Sequence, residues 1–316
     1  MVTSFKFGER RWIIPHITHL CSCHHPHPVT AAMADASFDG VYNFRDVGAA
    51  INMLRVNPPS ATVPSPALQE KMLYRSGRLD NASEADRRKL QAPIPEGYNL
   101  QTVVDLRTKS EHIKQQTTAT PTQSSWETVY IDFVGRRFEL NMLKQLRWYR
   151  IIQFLFLMLI GHRMAAIRIL GRNVLGPKGL VGLSRDSLRF CQSEICAALD
   201  VVISPTHAHP VLIHCTQGKD RSGLVVMLIL FVLGVPLPLV KTEYAMSEEG
   251  LAPVRASMIV EVEEIGMDEA YTRAPEEVAQ FVWDCLEAEY GGVDAYLDLV
   301  GFGEEKRQIL RKIMLS

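Results

Sequence analysis

The residues best suited to chemistry lie in one short segment, His214-Cys215-Thr216-Gln217-Gly218-Lys219-Asp220-Arg221-Ser222-Gly223. Backbone N–H groups in a tight turn before a helix can converge on an anion, and the helix N-terminus adds its positive end. The same field favours the thiolate form of Cys215. Arg221 lies six positions later and can hold two phosphate oxygens with its planar fork. The segment therefore predicts a nucleophilic thiolate inside a phosphate-binding cradle.

The neighbours of the cysteine also fit this cradle. Gly218 lets the backbone bend close to a ligand, and the Ser222 hydroxyl can donate to the sulfur or to a phosphoryl group. His214 takes a supporting position. The alternative is an inert buried cysteine at a strand end, which would not need glycine, lysine and arginine at these offsets. The predicted phosphate-binding residues are Thr216, Gln217, Gly218, Lys219, Asp220, Arg221 and Ser222.

The order His-Cys-x5-Arg-Ser-Gly matches the signature of cysteine-dependent tyrosine and dual-specificity phosphatases. With Gly-Lys-Asp-Arg inside the loop, the sequence resembles a narrower family of fungal and bacterial tyrosine phosphatases. The resemblance spans about residues 37–315, with Ser222 and Glu243 standing where threonine and aspartate are more usual. Five further segments are similar to that family: Asn43–Gly48, Tyr74–Gly77, Val104–Arg107 followed by Glu111, Glu243–Glu248, and Tyr296–Phe302.

The resemblance implies hydrolysis in two steps that needs no metal or other cofactor. Cys215 attacks phosphorus to form a phosphocysteine, and water then releases phosphate. Arg221 and the loop amides stabilise the charge on the transferred group. In similar enzymes a lysine at the position of Lys219 accompanies activity on phosphoinositides as well as on phosphotyrosine. A solvated surface lysine is the alternative interpretation.

The proton donor to the leaving group has two candidates. Asp105 ends a predicted buried strand, at the edge where ligands and catalytic groups gather in α/β sheets. It could equally form a structural pair with Arg107. Asp220, inside the loop, is the second candidate, and its alternative role is a counter-ion to Lys219 and Arg221.

Strands and helices alternate along the chain, which predicts an α/β fold with a mainly parallel central sheet flanked by helices. Ser83 followed by Asp86 predicts a helix start. A helical insertion is expected over about residues 138–200, and helices from Leu239 to the end. The predicted strands are Lys71–Tyr74, Thr102–Leu106, Thr128–Phe133 and Pro210–Ile213.

The two most apolar runs of the chain are Ile151–Ile160 and Leu224–Val235. Both are shorter than the roughly 20 residues that cross a bilayer. We therefore expect two buried helices and no transmembrane segment. Trp148–Ile169 could instead form a lid over the site, although apolar helical spacing more often indicates core packing.

The predicted organisation is an N-terminal extension over residues 1–36, disordered or mis-started, and a phosphatase domain over residues 37–316. The extension contains Cys21-Ser22-Cys23-His24-His25-Pro26-His27. These are metal-binding residue types, yet no second ligand pair follows at zinc-finger spacing, so no structural metal site is predicted. The six irregularly spaced cysteines favour free thiols in a reducing, cytoplasmic compartment.

The balance of charged residues limits the classes of binding partner that the sequence suggests. With 34 Lys and Arg against 35 Asp and Glu, the chain lacks the basic excess that would bind nucleic acid or an anionic membrane by bulk charge. The favoured function is a protein tyrosine phosphatase acting on phosphotyrosine proteins, and a phosphoinositide or inositol phosphate phosphatase is the alternative. A catalytically silent phosphate-binding scaffold is disfavoured because Cys215 and Arg221 are both intact. Sulfur transfer by a rhodanese-like loop is disfavoured by the Arg-Ser-Gly ending.

Overall fold

The computed structural model describes residues 38–58, 64–116 and 125–316. A five-stranded sheet in the order β1-β2-β5-β3-β4 forms the centre. Its strands are β1 (Arg45–Asp46), β2 (Leu73–Ser76), β3 (Thr102–Asp105), β4 (Glu127–Tyr130) and β5 (Val211–His214). Only β1 runs antiparallel to its neighbour, and the other three pairings are parallel. The predicted α/β fold with a mainly parallel sheet is confirmed.

The register of the parallel strands brings their carboxyl ends into one row. His214 at the end of β5 pairs with Ser76 on one side and with Asp105 on the other, and Asp105 pairs with Tyr130. Loops that leave these ends therefore share one edge of the sheet. The segment that begins at His214 leaves from the middle of this edge.

The sheet has a buried core on each face. Successive side chains of a strand point to opposite faces, so Val211 and Ile213 join the larger cluster while Leu212 joins the smaller one. Helices supply most of the larger core. Phe44, Leu90, Leu100 and Trp126 close the smaller one.

Fifteen α-helices lie within the described ranges. They are α1 (Val47–Val56), α2 (Glu84–Gln91), α3 (Lys109–Gln116), α4 (Arg136–Lys144), α5 (Trp148–Leu159), α6 (Arg163–Leu170), α7 (Gly176–Phe190), α8 (Gln192–Ile203), α9 (Arg221–Val232), α10 (Leu237–Ala245), α11 (Ser247–Gly250), α12 (Arg255–Glu264), α13 (Glu277–Cys285), α14 (Val293–Val300) and α15 (Glu304–Met314). Ser83 caps α2 through a reciprocal capping box with Asp86, as its sequence predicts.

The segment expected to be helical over 138–200 is helical in the structure from α4 to α8. A π-helical turn over Gly171–Leu175 follows α6, and Gly179 interrupts α7 with a left-handed backbone at φ 64°. Several predicted strand bounds shift by one to three residues. Pro210, for example, lies before β5 rather than in it, because proline has no N–H to donate to a sheet.

One of the two apolar runs is not buried as expected. Leu224–Val235 is buried throughout, except for Gly234, in α9 and the turn that follows. The prediction of a buried helix for Ile151–Ile160 is wrong, because no residue of α5 is fully buried. The spacing of apolar residues indicates which face of a helix is suited to packing, but it does not show whether another part of this chain covers that face.

The N-terminal extension, including the Cys21–His27 cluster, lies outside the described residues. So do residues 59–63 of the proline-rich connection and residues 117–124 of the loop before β4. Within the described ranges, the search for a helix both long and apolar enough to cross a membrane finds none.

Candidate active site

The cysteine lies at the base of the loop that joins β5 to α9. Its side chain is only 2% exposed. Cys215 Sγ accepts a hydrogen bond from the Gly218 backbone N–H at 3.2 Å. An amide pointing at the sulfur stabilises negative charge there. The loop therefore already turns one backbone donor toward the predicted nucleophile.

Gly218 is required by the shape of this loop. Its φ of +71° is in the left-handed region, and a Cβ at this position would lie 2.1 Å from the Ser76 carbonyl oxygen. Only glycine fits both conditions without displacing the end of β2. The sequence analysis predicted that the Gly218 backbone comes close to a ligand. In the structure it comes close to the end of β2.

Arg75, on β2, holds the underside of the loop. Its guanidinium donates to the Gly218 carbonyl oxygen at 3.2 and 2.7 Å and to the Lys219 carbonyl oxygen at 3.3 Å. Because the carbonyl groups of the loop point toward Arg75, the N–H groups between them point away from Arg75. This orientation suits a loop whose N–H groups bind an anion.

A buried ionic cluster supports Arg75. Glu243 on α10 accepts from Arg75 and from Arg45, each at 2.8 Å, and all three side chains are almost completely buried. Burial alone would raise the pKa of Glu243, but Arg45 and Arg75 outweigh it and hold that pKa below its ordinary value. Two guanidinium groups therefore share one carboxylate beneath the loop, and these three side chains together carry a net charge of +1. Asn43 adds a hydrogen bond to the Gln217 carbonyl oxygen at 3.0 Å.

Arg221, the first residue of α9, holds a carboxylate. Its two terminal nitrogens donate to the two oxygens of Glu111 at 2.8 and 2.6 Å, and one of them also donates to the Leu106 carbonyl oxygen at 3.0 Å. Thr216 donates its hydroxyl to the same carboxylate. Burial would raise the pKa of Glu111, but Arg221 and Thr216 hold it well below its ordinary value. The Glu111 carboxylate thus occupies the arginine fork and holds it beside the cysteine loop.

Asp105 is engaged by a neighbouring arginine. Its carboxylate accepts from Arg107 Nε at 2.9 and 3.1 Å and from a terminal nitrogen at 2.7 Å, and its side chain is almost completely buried. Burial would raise the pKa of Asp105, but His214 and Arg107 lower it. Arg107 is the guanidinium that contacts this carboxylate directly, whereas His214 Nε2 lies 3.5 Å from it. Asp105 as the general acid stays a prediction, and this geometry favours the structural pair instead.

Lys219 and Asp220 form an ion pair inside the loop. Lys219 Nζ lies 2.9 Å from Asp220 Oδ1, and the lysine side chain is completely buried whereas the aspartate is 30% exposed. The interpretation of Lys219 as a solvated surface residue is therefore wrong. The counter-ion role that was open for Asp220 has a geometric basis.

The remaining predicted residues lie in the same loop. The Ser222 hydroxyl is buried and has no hydrogen-bond partner among the described residues, so it is free to donate to sulfur or phosphate. His214 is buried, with Nδ1 3.2 Å from the Cys215 carbonyl oxygen and Nε2 3.5 Å from Asp105. Thr216 and Gln217 are half-buried at the turn.

Four supporting residues had no assigned role in the sequence analysis, although all belong to segments quoted for the resemblance. They are Arg45, Arg75, Glu111 and Glu243. A signal was present for Arg75, because a charged residue within a short apolar strand must find a buried partner. The identity of that partner could not be read from the strand itself.

The tyrosine phosphatase family matches residues 36–316 of the chain. A tyrosine-protein phosphatase of Nostoc commune is 33% identical over 110 residues, which are 32% of this chain and 37% of that protein. The chain thus matches little more than a third of this relative's length. Among solved structures, the core catalytic domain of the PP-IP phosphatase SIW14 from S. cerevisiae, in complex with citrate, is 14% identical, with a TM-score of 0.30 over 66% of this chain and 88% of that one.

Proposed function

The chain belongs to the tyrosine phosphatase family, and we propose that it hydrolyses phosphotyrosine in proteins through a phosphocysteine formed on Cys215. One observation carries this proposal. The Cys215 sulfur accepts a backbone N–H, and the loop around it ends at Arg221, whose fork holds two carboxylate oxygens. A phosphoryl group likewise presents two acceptor oxygens to the planar donors of a guanidinium.

In the first step, the Cys215 thiolate attacks phosphorus, forming the S–P bond as the P–O bond to the tyrosine breaks. The phenolate oxygen takes a proton from a general acid and leaves as the phenol. In the second step, water gives a proton back to the carboxylate of the general acid and attacks phosphorus, the S–P bond breaks, and the thiolate returns with inorganic phosphate as the product. Arg221 and the loop amides supply the positive field for both steps.

We assign the general acid to Asp220. Asp220 lies in the loop with a partly exposed side chain. Asp105 is buried, and its carboxylate accepts three hydrogen bonds from the Arg107 side chain. A proton donor must reach the leaving oxygen within hydrogen-bond distance. The accessible carboxylate meets that condition more readily.

Dependence on the leaving group distinguishes the two aspartates. Asp220→Asn should slow the hydrolysis of phenyl phosphate by about a hundred- to ten-thousandfold, and p-nitrophenyl phosphate much less, because its phenol leaves unaided. Asp105→Asn should reduce both rates to the same degree. The opposite pattern would return the acid role to Asp105.

The substrate class follows from the number of available cations. Lys219 is buried and paired with Asp220, so it lacks a free ammonium for the second phosphate of a phosphoinositide. We therefore favour phosphotyrosine over phosphoinositides and inositol phosphates. Because the thiolate must stay reduced, we place the protein in the cytoplasm.

The decisive variant is Cys215→Ser, with Cys196→Ser as its matched control on α8. The first should abolish turnover of phosphotyrosine peptides and retain phosphate binding, because the cradle persists without its nucleophile. The second should keep normal turnover. Iodoacetate should label Cys215 first among the cysteines, and phosphate should protect it. Activity on phosphoinositides but not on phosphotyrosine or phosphoserine peptides would replace the proposed substrate.

A further inference from the structure

The helix α5 carries an apolar stripe on its outer face. Its members are large apolar residues at offsets of 4, 7, 8 and 11 from the first, which is the spacing of one helical face. Each is more than half exposed. The stripe consists of Trp148, Ile152, Leu155, Phe156 and Leu159.

The opposite face of α5 fixes the helix to the protein. Ile151, Phe154 and Leu157 pack against the larger core. The helix α6 packs against α5 and buries Ala166 and Ile169. The hairpin of α5 and α6 is therefore held by its inner face, while the outer stripe remains uncovered by the described residues. An exposed apolar surface of this kind marks an interaction site.

The segment of the sequence that contains the stripe is basic, although Lys178 and Arg185 near its end pair with Asp186 and Glu289. Residues 140–185 contain eight Lys or Arg and no Asp or Glu, in a chain whose overall charge is −1. Those at the hairpin with exposed side chains include Arg147, Arg163 and Arg172. The full set is Lys144, Arg147, Arg150, Arg163, Arg168, Arg172, Lys178 and Arg185. The surface that complements this hairpin is apolar in the middle and negatively charged around it.

An anionic phospholipid bilayer has these properties. Acyl chains accept the apolar face of an interfacial helix, and acidic headgroups attract its basic rim. Trp148 and Tyr149 at one end of α5 are residue types that settle at the headgroup level. A second copy of the hairpin fits less well, because two basic rims would face each other.

The dimensions of α5 indicate how it would lie. Twelve residues extend over roughly 18 Å, whereas the hydrocarbon core of a bilayer is about 30 Å thick. The helix is too short to cross, so it would lie along the interface with its outer stripe embedded. Such an orientation uses the exposed face and leaves the inner face on the protein core.

We propose that the α5–α6 hairpin docks the protein on anionic phospholipid bilayers, with the outer stripe inserted among the headgroups. The hairpin also contacts the candidate active site, since Arg163 donates to Ser110 on α3. Ser110 precedes Glu111, the partner of Arg221. Docking would therefore bring the cysteine loop close to the membrane surface and favour phosphorylated substrates held there.

Co-sedimentation of the full chain with extruded vesicles tests this proposal. We expect binding to phosphatidylcholine vesicles containing 30 mol% phosphatidylserine, weak binding to pure phosphatidylcholine, and a decline as salt increases. Phe156→Glu should weaken vesicle binding about tenfold or more, because it places a charge at the embedded face. Leu299→Glu, at an equally exposed apolar residue on α14, is the matched control and should bind normally. Lys144→Glu combined with Arg147→Glu should weaken binding to the acidic vesicles by about tenfold or more.

Several outcomes would overturn the proposal. They are the absence of binding to acidic vesicles, equal binding by Phe156→Glu and the parent, or a concentration-dependent dimer that Phe156→Glu abolishes without any vesicle binding. Faster hydrolysis of a small aryl phosphate by Phe156→Glu, without vesicle binding by the parent, would make the hairpin a lid instead. Cys215→Ser should bind vesicles like the parent, so this test stands apart from the catalytic proposal.

Discussion

The helices α5 and α9 look alike in sequence and have opposite surroundings in the fold. Both contain twelve residues, both are largely apolar on every face, and an arginine stands at the start of each. Eleven of the twelve residues of α9 are buried, and none of α5 is. The helix α9 follows the central strand β5 and packs against α8, α10, α14 and α15. The helix α5 lies in the insertion and packs chiefly against α6.

The two arginines illustrate the same contrast. Arg221 enters the cradle because the loop before it leaves the middle of the parallel sheet, where Leu106 and Glu111 are within reach. Arg147, at the start of α5, is exposed and lies in the basic rim of the hairpin. The position of a helix relative to the sheet therefore decides whether an arginine at its N-terminus lies beside the cysteine loop or on the surface.

The largest effect is expected beneath the N-terminus of α9. Glu243→Gln removes the carboxylate that Arg45 and Arg75 share and leaves two buried cations uncompensated. The free energy of unfolding should fall by about 3–5 kcal/mol, as measured by urea denaturation. Glu305→Gln, at an exposed position in α15, is the control and should change it little. A small loss in Glu243→Gln would mean that the ionic cluster does not support the loop.

The dependence of this effect on pH has a definite sign. The pKa of Glu243 is lower in the folded protein than its ordinary value near 4.5. Burial by itself would raise this pKa, but the positive charges of Arg45 and Arg75 lower it by more. Its stabilising contribution is therefore fully present above the unfolded value and is lost as pH falls through the lower folded value. The difference in stability between parent and Glu243→Gln should shrink below about pH 4.5.

A pair of alanine substitutions compares the two helices directly. Ile229→Ala in α9 removes a completely buried side chain and should cost about 2–5 kcal/mol of unfolding free energy. Ile152→Ala, on the outer stripe of α5, should change it by less than about 0.5 kcal/mol. Urea denaturation of both variants measures the difference. Equal losses would show that the outer stripe is covered in solution by another part of the chain or by a second copy.

Substitutions of Arg221 and Arg147 provide a smaller test, in which kcat is measured. Arg221→Lys keeps the charge but loses the planar fork, and kcat on an aryl phosphate should fall on the order of a hundredfold. Arg147→Lys should leave kcat unchanged, because that side chain lies in the rim of the hairpin. Near-normal activity of Arg221→Lys would contradict the proposed role of the fork in phosphate binding.

The shape of the cysteine loop could be predicted because its residues are neighbours in the chain. Cys215, Gly218 and Arg221 fall within one turn between a strand and a helix, and local steric and electrostatic rules apply directly to such a segment. The supports of the loop could not be predicted in this way. Arg75 and the Gly218 carbonyl are 143 residues apart, and Glu111 and Arg221 are 110 apart. Such contacts depend on the order of strands in the sheet.

The assignment of Asp105 illustrates the same limit at short range. Its place at a strand end was readable from a β-branched apolar run, and so was the nearby Arg107. Whether the carboxylate would face a substrate or the arginine depended on the conformation after β3, where the Arg107 backbone N–H and side chain both turn back to it. A spacing of two residues permits either arrangement.

By itself, the sequence determined the α/β class, the helix start at Ser83 and the order of reacting groups in the cysteine loop. Each of these depends on periodicity, capping or chain neighbours, which act over a few residues. Only the tertiary structure decided that α9 is buried and α5 exposed, and that Arg75 and Glu243 hold the loop from below. The burial of a helix depends on which other parts of the chain pack against it. The sequences of two helices of similar composition therefore do not show which of them is buried.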